Sequence, residues 1–188
     1  VAEGTLTPVQ FSEWAAPIVP IVKEDGSVRI CGDYKMTANK VSKLDNYPIP
    51  KSEELFVTLN GGKKFTKLDM SQAYQQLLLS GAIKPFTTIN THKGLFRYNR
   101  LPYGISSAPG IYQRVMNNLL QGIPYVVVTV DDILVSGEKT EAHKRNLEEV
   151  LQGLTKAGLP LNAQKCVFFA DEVVYLGQKV KSEGVQTV

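Results

Sequence analysis

Sulfur and imidazole are scarce in this sequence. Its two cysteines, Cys31 and Cys166, stand far apart without a paired spacing, which speaks against a disulfide framework or a zinc ribbon and fits an intracellular, reducing compartment. The two histidines, His92 and His143, are too few and too isolated to build a metal site. Long apolar runs are missing as well. The most apolar stretch, 125–135, is broken by Asp131 and Asp132 and falls short of the roughly 20 residues a bilayer span needs, so no membrane partner is expected. No internal repeat and no low-complexity segment is present. No basic leader with an apolar core opens the chain, and the first residue is Val1 rather than Met, so an excised segment of a longer protein is expected. An excess of one charge is also lacking: 21 Lys and Arg against 18 Asp and Glu give a net charge of +3, only a weak bias toward a polyanionic partner.

What is present suits a globular enzyme-sized unit. With 188 residues, 43% hydrophobic and 21% charged, the chain can bury one sizeable core, with room for subdomains. Two β-rich runs, 18–23 and 28–34, flank the turn-forming pair Asp25-Gly26 and predict a hairpin. Ser52 is positioned to cap a short helix through Leu59, which Gly61-Gly62 would stop. Residues 65–70 predict a strand carrying Asp69 at its end. A second hairpin is expected from 86–89 and 95–98 around a loop at 90–94. A helix starting at Ser106 or Ser107 takes Pro109 in its first turn and ends near Gly122, with Ala108, Ile111, Tyr112, Val115 and Leu119 on its apolar face. The valine-rich runs 125–130 and 133–135 predict a buried hairpin with Asp131 and Asp132 at the tip. Thr140 is expected to cap a helix bearing Leu147, Val150, Leu151 and Leu154 and ending at Gly158. Strands at 167–169 and 173–180 complete the pattern. From Phe65 onward, with the second hairpin set aside as an insertion, the order is strand, helix, strand, strand, helix, strand. That is the split βαβ order of ferredoxin-like folds, a scaffold that does not name a function.

The aspartate pair stands out because it interrupts an apolar strand pair, where unpaired carboxylates are costly unless a cation or hydrogen bonds compensate. Asp-Asp at a hairpin tip is equally good turn chemistry. Asp69 favours the chemical reading: it ends an independent strand, and in the split βαβ order the two inner strands are neighbours, so the carboxylates converge. Three carboxylates around two hard cations is an arrangement that serves phosphoryl transfer, with Mg²⁺ expected and Mn²⁺ able to substitute.

Several ordered blocks then resemble the reverse transcriptases of long-terminal-repeat retrotransposons and retroviruses. They are Trp14-Ala15-Ala16-Pro17-Ile18-Val19-Pro20-Ile21-Val22-Lys23, Arg29-Ile30-Cys31-Gly32-Asp33-Tyr34, Leu68-Asp69-Met70-Ser71-Gln72-Ala73-Tyr74, Leu101-Pro102-Tyr103-Gly104 with Ser107-Ala108-Pro109 and Gln113, Val130-Asp131-Asp132-Ile133-Leu134, and Tyr175-Leu176-Gly177. Each block is weak alone; their order and spacing are specific. The resemblance implies an α+β right-hand polymerase architecture, with fingers mainly at 1–62 and 78–105. The palm, mainly 63–77 and 106–188, would be a ferredoxin-like split βαβ with an antiparallel sheet. Thumb, connection and ribonuclease H regions would lie beyond Val188. It further implies an RNA-directed and DNA-directed DNA polymerase that uses a primed RNA or DNA template and deoxynucleoside triphosphates. The chain would work inside a polyprotein, in the cytoplasm and within virus-like particles.

By the same resemblance, Asp69, Asp131 and Asp132 match the metal-binding aspartates. Lys23 and Arg29 match residues gripping the triphosphate, and Arg suits that task by its bidentate fork. Tyr74 matches the aromatic gate that rejects a 2′-hydroxyl. Tyr103 lies in the nucleotide site, where an aromatic points to the retrotransposon branch. Lys165 matches the lysine that protonates pyrophosphate, an exposed loop lysine being the competing reading. Tyr175, Leu176 and Gly177 match the start of the primer grip. Outside these blocks, Lys63, Lys64, Lys67, Lys93, Arg97 and Arg100 could contact template or form a solvated face, and Trp14 is expected to be a packing anchor.

One departure is Thr129, where the family usually has tyrosine. It implies looser primer placement with metal binding intact, and it sustains a second reading, a non-catalytic nucleic-acid-binding module derived from such an element. Other palm enzymes fit less well: diguanylate cyclases carry a Gly-Gly-Asp/Glu-Glu-Phe hairpin and viral RNA polymerases usually Gly-Asp-Asp, and neither explains Leu101-Pro102-Tyr103-Gly104.

Overall fold

The computed structural model describes residues 4–23, 26–51 and 56–187. Among them lie strands β1 (Leu6–Val9), β2 (Ala16–Val22), β3 (Val28–Gly32), β4 (Phe65–Asp69), β5 (Thr88–Thr91), β6 (Gly94–Tyr98), β7 (Val126–Thr129), β8 (Asp132–Val135), β9 (Val167–Ala170), β10 (Glu172–Tyr175), β11 (Gln178–Lys181) and β12 (Gly184–Thr187). The longer helices are Ala108–Leu119 and Thr140–Ala157. The chain divides into two compact units, one of Val1–Asn46 with Gln72–Tyr112 and one of Tyr47–Ser71 with Gln113–Val188. No described helix is long and apolar enough to cross a membrane.

The first unit is a five-stranded sheet in the order β1-β6-β5-β2-β3. The expected hairpin of β2 and β3 forms, pairing Ile18 with Gly32 through Val22 with Val28. Asp25 of its turn lies outside the described residues. The second hairpin is tighter than expected. Thr91 pairs with Gly94, so His92 and Lys93 alone make the turn, and Lys84–Thr87 coils as a 3₁₀ turn instead of opening the strand. Pro85 favours that coil. Strand β1 and the helical turn Ala38–Val41 carried no strong sequence pattern. The core gathers Ala16, Tyr34, Ala38, Ile89 and Tyr98. Its buried tyrosines each satisfy the hydroxyl on a backbone carbonyl, Tyr34 donating to the Thr87 carbonyl at 3.1 Å and Tyr98 to the Ile30 carbonyl at 3.4 Å. Burial pushes the Tyr98 phenol up to about 12, with Cys31 adding to the shift. Trp14 packs on Phe86 with ring centroids 5.0 Å apart, the anchoring expected of it.

The second unit holds a four-stranded sheet ordered β7-β8-β4-β9 with its three pairings antiparallel. This is the split βαβ arrangement read from the sequence. Ile133, Leu134 and Val135 are buried, as are Phe65 and Leu68 facing them. The Thr140–Ala157 helix buries His143, Asn146, Leu147, Val150 and Leu154, and Gly158 ends it in the left-handed conformation at φ 68°. Its cap is corrected: Thr140 is already helical, Lys139 holds the cap position, and no side chain bonds the free N–H groups. In the Ala108–Leu119 helix the buried residues are Ala108, Tyr112, Gln113 and Met116, continuing to Leu120, so the face is rotated from the expected Ile111, Val115 and Leu119, which are half-buried.

The run 173–180 is not one strand. Leu176 and Gly177, at φ 51° and 72°, turn it back, so Tyr175 pairs with Gln178 and β10, β11 and β12 make a separate three-stranded sheet. Residues 56–58 are helical, whereas Ser52, the expected cap, lies outside the described residues. Both cysteines are free.

Candidate active site

In the second unit, strand register brings the aspartates together. Asp69 is the Cα partner of Asp132 across β4 and β8, and Thr129 is the partner of Asp132 across β7 and β8. Val130 and Asp131 therefore form a two-residue turn at the tip. The Met70 N–H donates to the Asp131 carbonyl at 3.0 Å, extending the ladder one residue past Asp69. Asp132 is half-buried and Asp131 is exposed.

Burial pushes the Asp132 carboxyl above the usual range. The Lys67 ammonium opposes that shift, and the charges of Asp131 and Asp69 add to it. Lys67, on the strand beside Asp69, reaches Asp132 Oδ1 at 3.4 Å. Among the described residues, no group of three or more His, Cys, Asp or Glu side chains is already gathered into a metal-binding cluster. The donor set nonetheless fits a hard divalent cation: two carboxylates held side by side by register, a third one residue away, and an Asp132 carboxyl pushed up first by burial and further by the charges of Asp131 and Asp69.

The turn is strained and braced. Val130 sits at φ 52°, a left-handed conformation that β-branched residues rarely adopt. Gln113, fully buried, holds it: its Oε1 accepts the Val130 N–H at 2.8 Å, and its Nε2 donates to the Val128 carbonyl at 2.9 Å and to Asn117 Oδ1 at 2.8 Å. On the other side Tyr175, also fully buried, places its hydroxyl 3.1 Å from Thr129 Oγ1 and 3.3 Å from the Asp132 carbonyl oxygen. In the sequence Gln113 stood among the quoted blocks without an assigned role; its burial demands the hydrogen-bond partners it finds here.

Lys165 is exposed in the turn that closes with its N–H on the Asn162 carbonyl. The adjoining Cys166 thiol lies 3.5 Å from the Asp69 amide, and the Asn162 N–H donates to the Asp69 carbonyl at 2.8 Å. Leu176 and Gly177 are exposed at the turn after Tyr175. Of the expected basic cluster, Lys64 pairs with Asp171 at 2.6 Å and Lys67 with Asp132.

In the first unit a second constellation forms. The Arg29 guanidinium lies 4.6 Å from the centroid of the Tyr103 ring, Tyr103 lies 5.2 Å from Tyr74, and Tyr74 lies 5.8 Å from Tyr112. The Gly32 N–H donates to the Tyr103 carbonyl at 3.2 Å, docking the loop on β3. Gly104 allows this approach: it adopts φ 102°, and a Cβ there would collide with the Gly32 carbonyl. Three of the four expected nucleotide-site residues are thus brought together. Lys23, exposed beside the β2–β3 turn, is not part of the stack.

Residues 21–180 match the family model described as reverse transcriptase (RNA-dependent DNA polymerase). The chain is 35% identical over 176 residues to an uncharacterized protein of Caenorhabditis elegans, covering 93% of this chain and 14% of that protein. It is 33% identical over 172 residues to the Tf2-3 transposon polyprotein of Schizosaccharomyces pombe, covering 90% of this chain and 13% of the polyprotein. Among solved structures, a foamy viral protease-reverse transcriptase in complex with double-stranded DNA superposes with a TM-score of 0.92 at 27% identity, covering 100% of this chain and 33% of that one. The same kind of viral protein in complex with an RNA/DNA hybrid gives a TM-score of 0.88 at 27% identity over 98% of this chain and 25% of that one. The chain therefore spans about one seventh of the curated relatives it matches, at 14% and 13% of their lengths.

Proposed function

The chain belongs to the reverse transcriptase family of long-terminal-repeat retrotransposons and retroviruses, and from that premise we propose that it carries the polymerase centre of an RNA-directed and DNA-directed DNA polymerase. The observation that carries the reading is the direct pairing of Asp69 with Asp132 beside the Val130-Asp131 turn. Asp69, Asp131 and Asp132 would hold two Mg²⁺ ions, with Mn²⁺ able to substitute. When bound, such ions lower the pKa of a primer 3′-hydroxyl and neutralise the triphosphate and the leaving pyrophosphate.

The chain's own residues supply binding and orientation. Lys67 pairs with Asp132 at 3.4 Å and partly neutralises its charge. Arg29, held over Tyr103, offers a planar fork to phosphate oxygens, with Lys23 as a second cation. Tyr74, packed between Tyr103 and Tyr112, has the bulk to exclude a 2′-hydroxyl. Lys165 is the candidate proton donor to pyrophosphate. Leu176 and Gly177 are the primer-facing members of the grip, with Tyr175 buried beneath them. In this reading the first unit acts as fingers and the second as palm, and the partners are a primed RNA or DNA template, deoxynucleoside triphosphates and the remainder of a polyprotein.

A second reading, a non-catalytic nucleic-acid-binding module, draws on Thr129 and on the Lys67–Asp132 ion pair. RNA-templated extension of a DNA primer by the full polypeptide containing this chain separates the two. Mg²⁺-dependent incorporation of the complementary deoxynucleotide is expected. No incorporation by a folded, nucleic-acid-bound protein would establish the second reading.

A further inference from the structure

The residue at 129 is the clearest departure from the family pattern, and the structure gives it a partner. Tyr175 buries its ring in the core cluster with Leu59, Phe65, Val127, Leu134, Val173 and Val180. Its hydroxyl emerges within hydrogen-bond distance of two groups at once, Thr129 Oγ1 at 3.1 Å and the Asp132 carbonyl at 3.3 Å. Thr129 and Asp132 are the paired residues flanking the Val130-Asp131 turn, so one hydroxyl touches both ends of it. A carbonyl only accepts, whereas two hydroxyls can exchange roles, so the Tyr175 proton can serve Asp132 while Thr129 donates to the phenol oxygen. A side chain at 129 without a short hydroxyl would leave this buried phenol with the carbonyl alone.

We propose that Tyr175 is a positioning residue that fixes the aspartate turn through the Thr129 hydroxyl and the Asp132 carbonyl, and that Thr129 is a working part of this clip. The inference rests on the polymerase reading. The turn carries Asp131, an exposed carboxylate whose carbonyl is held by the Met70 N–H, and its backbone is left-handed at Val130. A clip across its base, opposite the Gln113 brace, limits how far both carboxylates can drift, and a misplacement of about 1 Å can cost on the order of 10²-fold in rate.

The test compares Tyr175→Phe, Thr129→Val, the double variant and Thr129→Ser in the full polypeptide, reading kcat, KM for deoxynucleotide, Mn²⁺ affinity and melting temperature. Tyr175→Phe and Thr129→Val are each expected to lower kcat on the order of tenfold and to weaken Mn²⁺ binding, with KM unchanged. The double variant should be no worse than Tyr175→Phe, because losing the Tyr175 hydroxyl already removes the bond that Thr129→Val removes. Thr129→Ser should recover kcat. A lower melting temperature with unchanged kcat and Mn²⁺ affinity, or additive effects in the double variant, overturns the clip. If Tyr175→Phe does not fold, Thr129→Val and its serine rescue decide alone. Equal extension by wild type and Asp131→Asn would instead sink the polymerase reading, and Mn²⁺ affinity would still judge the clip.

Discussion

Replacing Gln113 with leucine tests whether the aspartate turn depends on the brace beneath it. The substitution keeps apolar bulk on the buried helix face and removes three hydrogen bonds, to the Val130 N–H, the Val128 carbonyl and Asn117. Leaving the Val130 N–H without its partner costs about 1–3 kcal/mol. The Val128 carbonyl and Asn117 lose their partner as well, which adds roughly 1 kcal/mol, while the left-handed strain at Val130 is present with or without the bond and adds nothing to the loss. A loss of about 2–4 kcal/mol follows, or a fall in melting temperature of roughly 5–15 °C for a chain of this size. Val130→Gly relieves the strain, so it should raise the stability of the wild type by about 1 kcal/mol and recover part of the Gln113→Leu deficit. Chemical denaturation of the four proteins in the cycle gives the coupling directly. A loss below about 0.5 kcal/mol for Gln113→Leu, or strict additivity with Val130→Gly, would refute the brace.

Asp132 carries a second expectation, in its pH dependence. Burial raises its folded pKa above the ordinary carboxylate value, so the stability it contributes is present below the unfolded value and is lost as pH rises through the folded one. Asp132→Asn should therefore flatten the stability profile over the acid range and stabilise the cation-free protein at neutral pH, a gain that Mg²⁺ should erase; thermal melts with and without Mg²⁺ from pH 3 to 8 check this, and an unchanged profile contradicts it. Tyr74→Ala should raise ribonucleotide against deoxyribonucleotide incorporation, read as the ratio of kcat/KM values; an unchanged ratio leaves Tyr74 as packing. Tyr103→Leu removes the ring under Arg29, a contact of about 0.5–1 kcal/mol, so KM for deoxynucleotide should rise roughly two- to fivefold; Tyr103→Phe should keep the wild-type value, and equal effects of the two would argue against the stacking.

The sequence made β4 and the aspartate hairpin legible because valine-rich runs stop abruptly at two carboxylates, and the split βαβ order then fixed which strands are neighbours. The pairing of Asp69 with Asp132 follows from that order. Other features depended on tertiary context. The turn at Leu176-Gly177 is hidden in an apolar run, and only Gly177 signals it; both residues have positive φ, the geometry of a two-residue hairpin. The buried face of the Ala108–Leu119 helix is rotated from the one its apolar residues marked, because Gln113 is buried and turns its amide to the hairpin backbone. Thr140 resembled a cap by residue type, yet the chain turns helical one residue earlier. The Tyr175 contact with Thr129 joins residues 46 positions apart and had no local signature.

The most direct test of the carboxylate assignment is single-nucleotide incorporation on an RNA template by the full polypeptide, comparing wild type with Asp69→Asn and Asp131→Asn at matched melting temperature. Each substitution removes a charge and keeps the shape, so both should abolish incorporation while RNA binding persists. Near-wild-type incorporation by either variant would contradict the account.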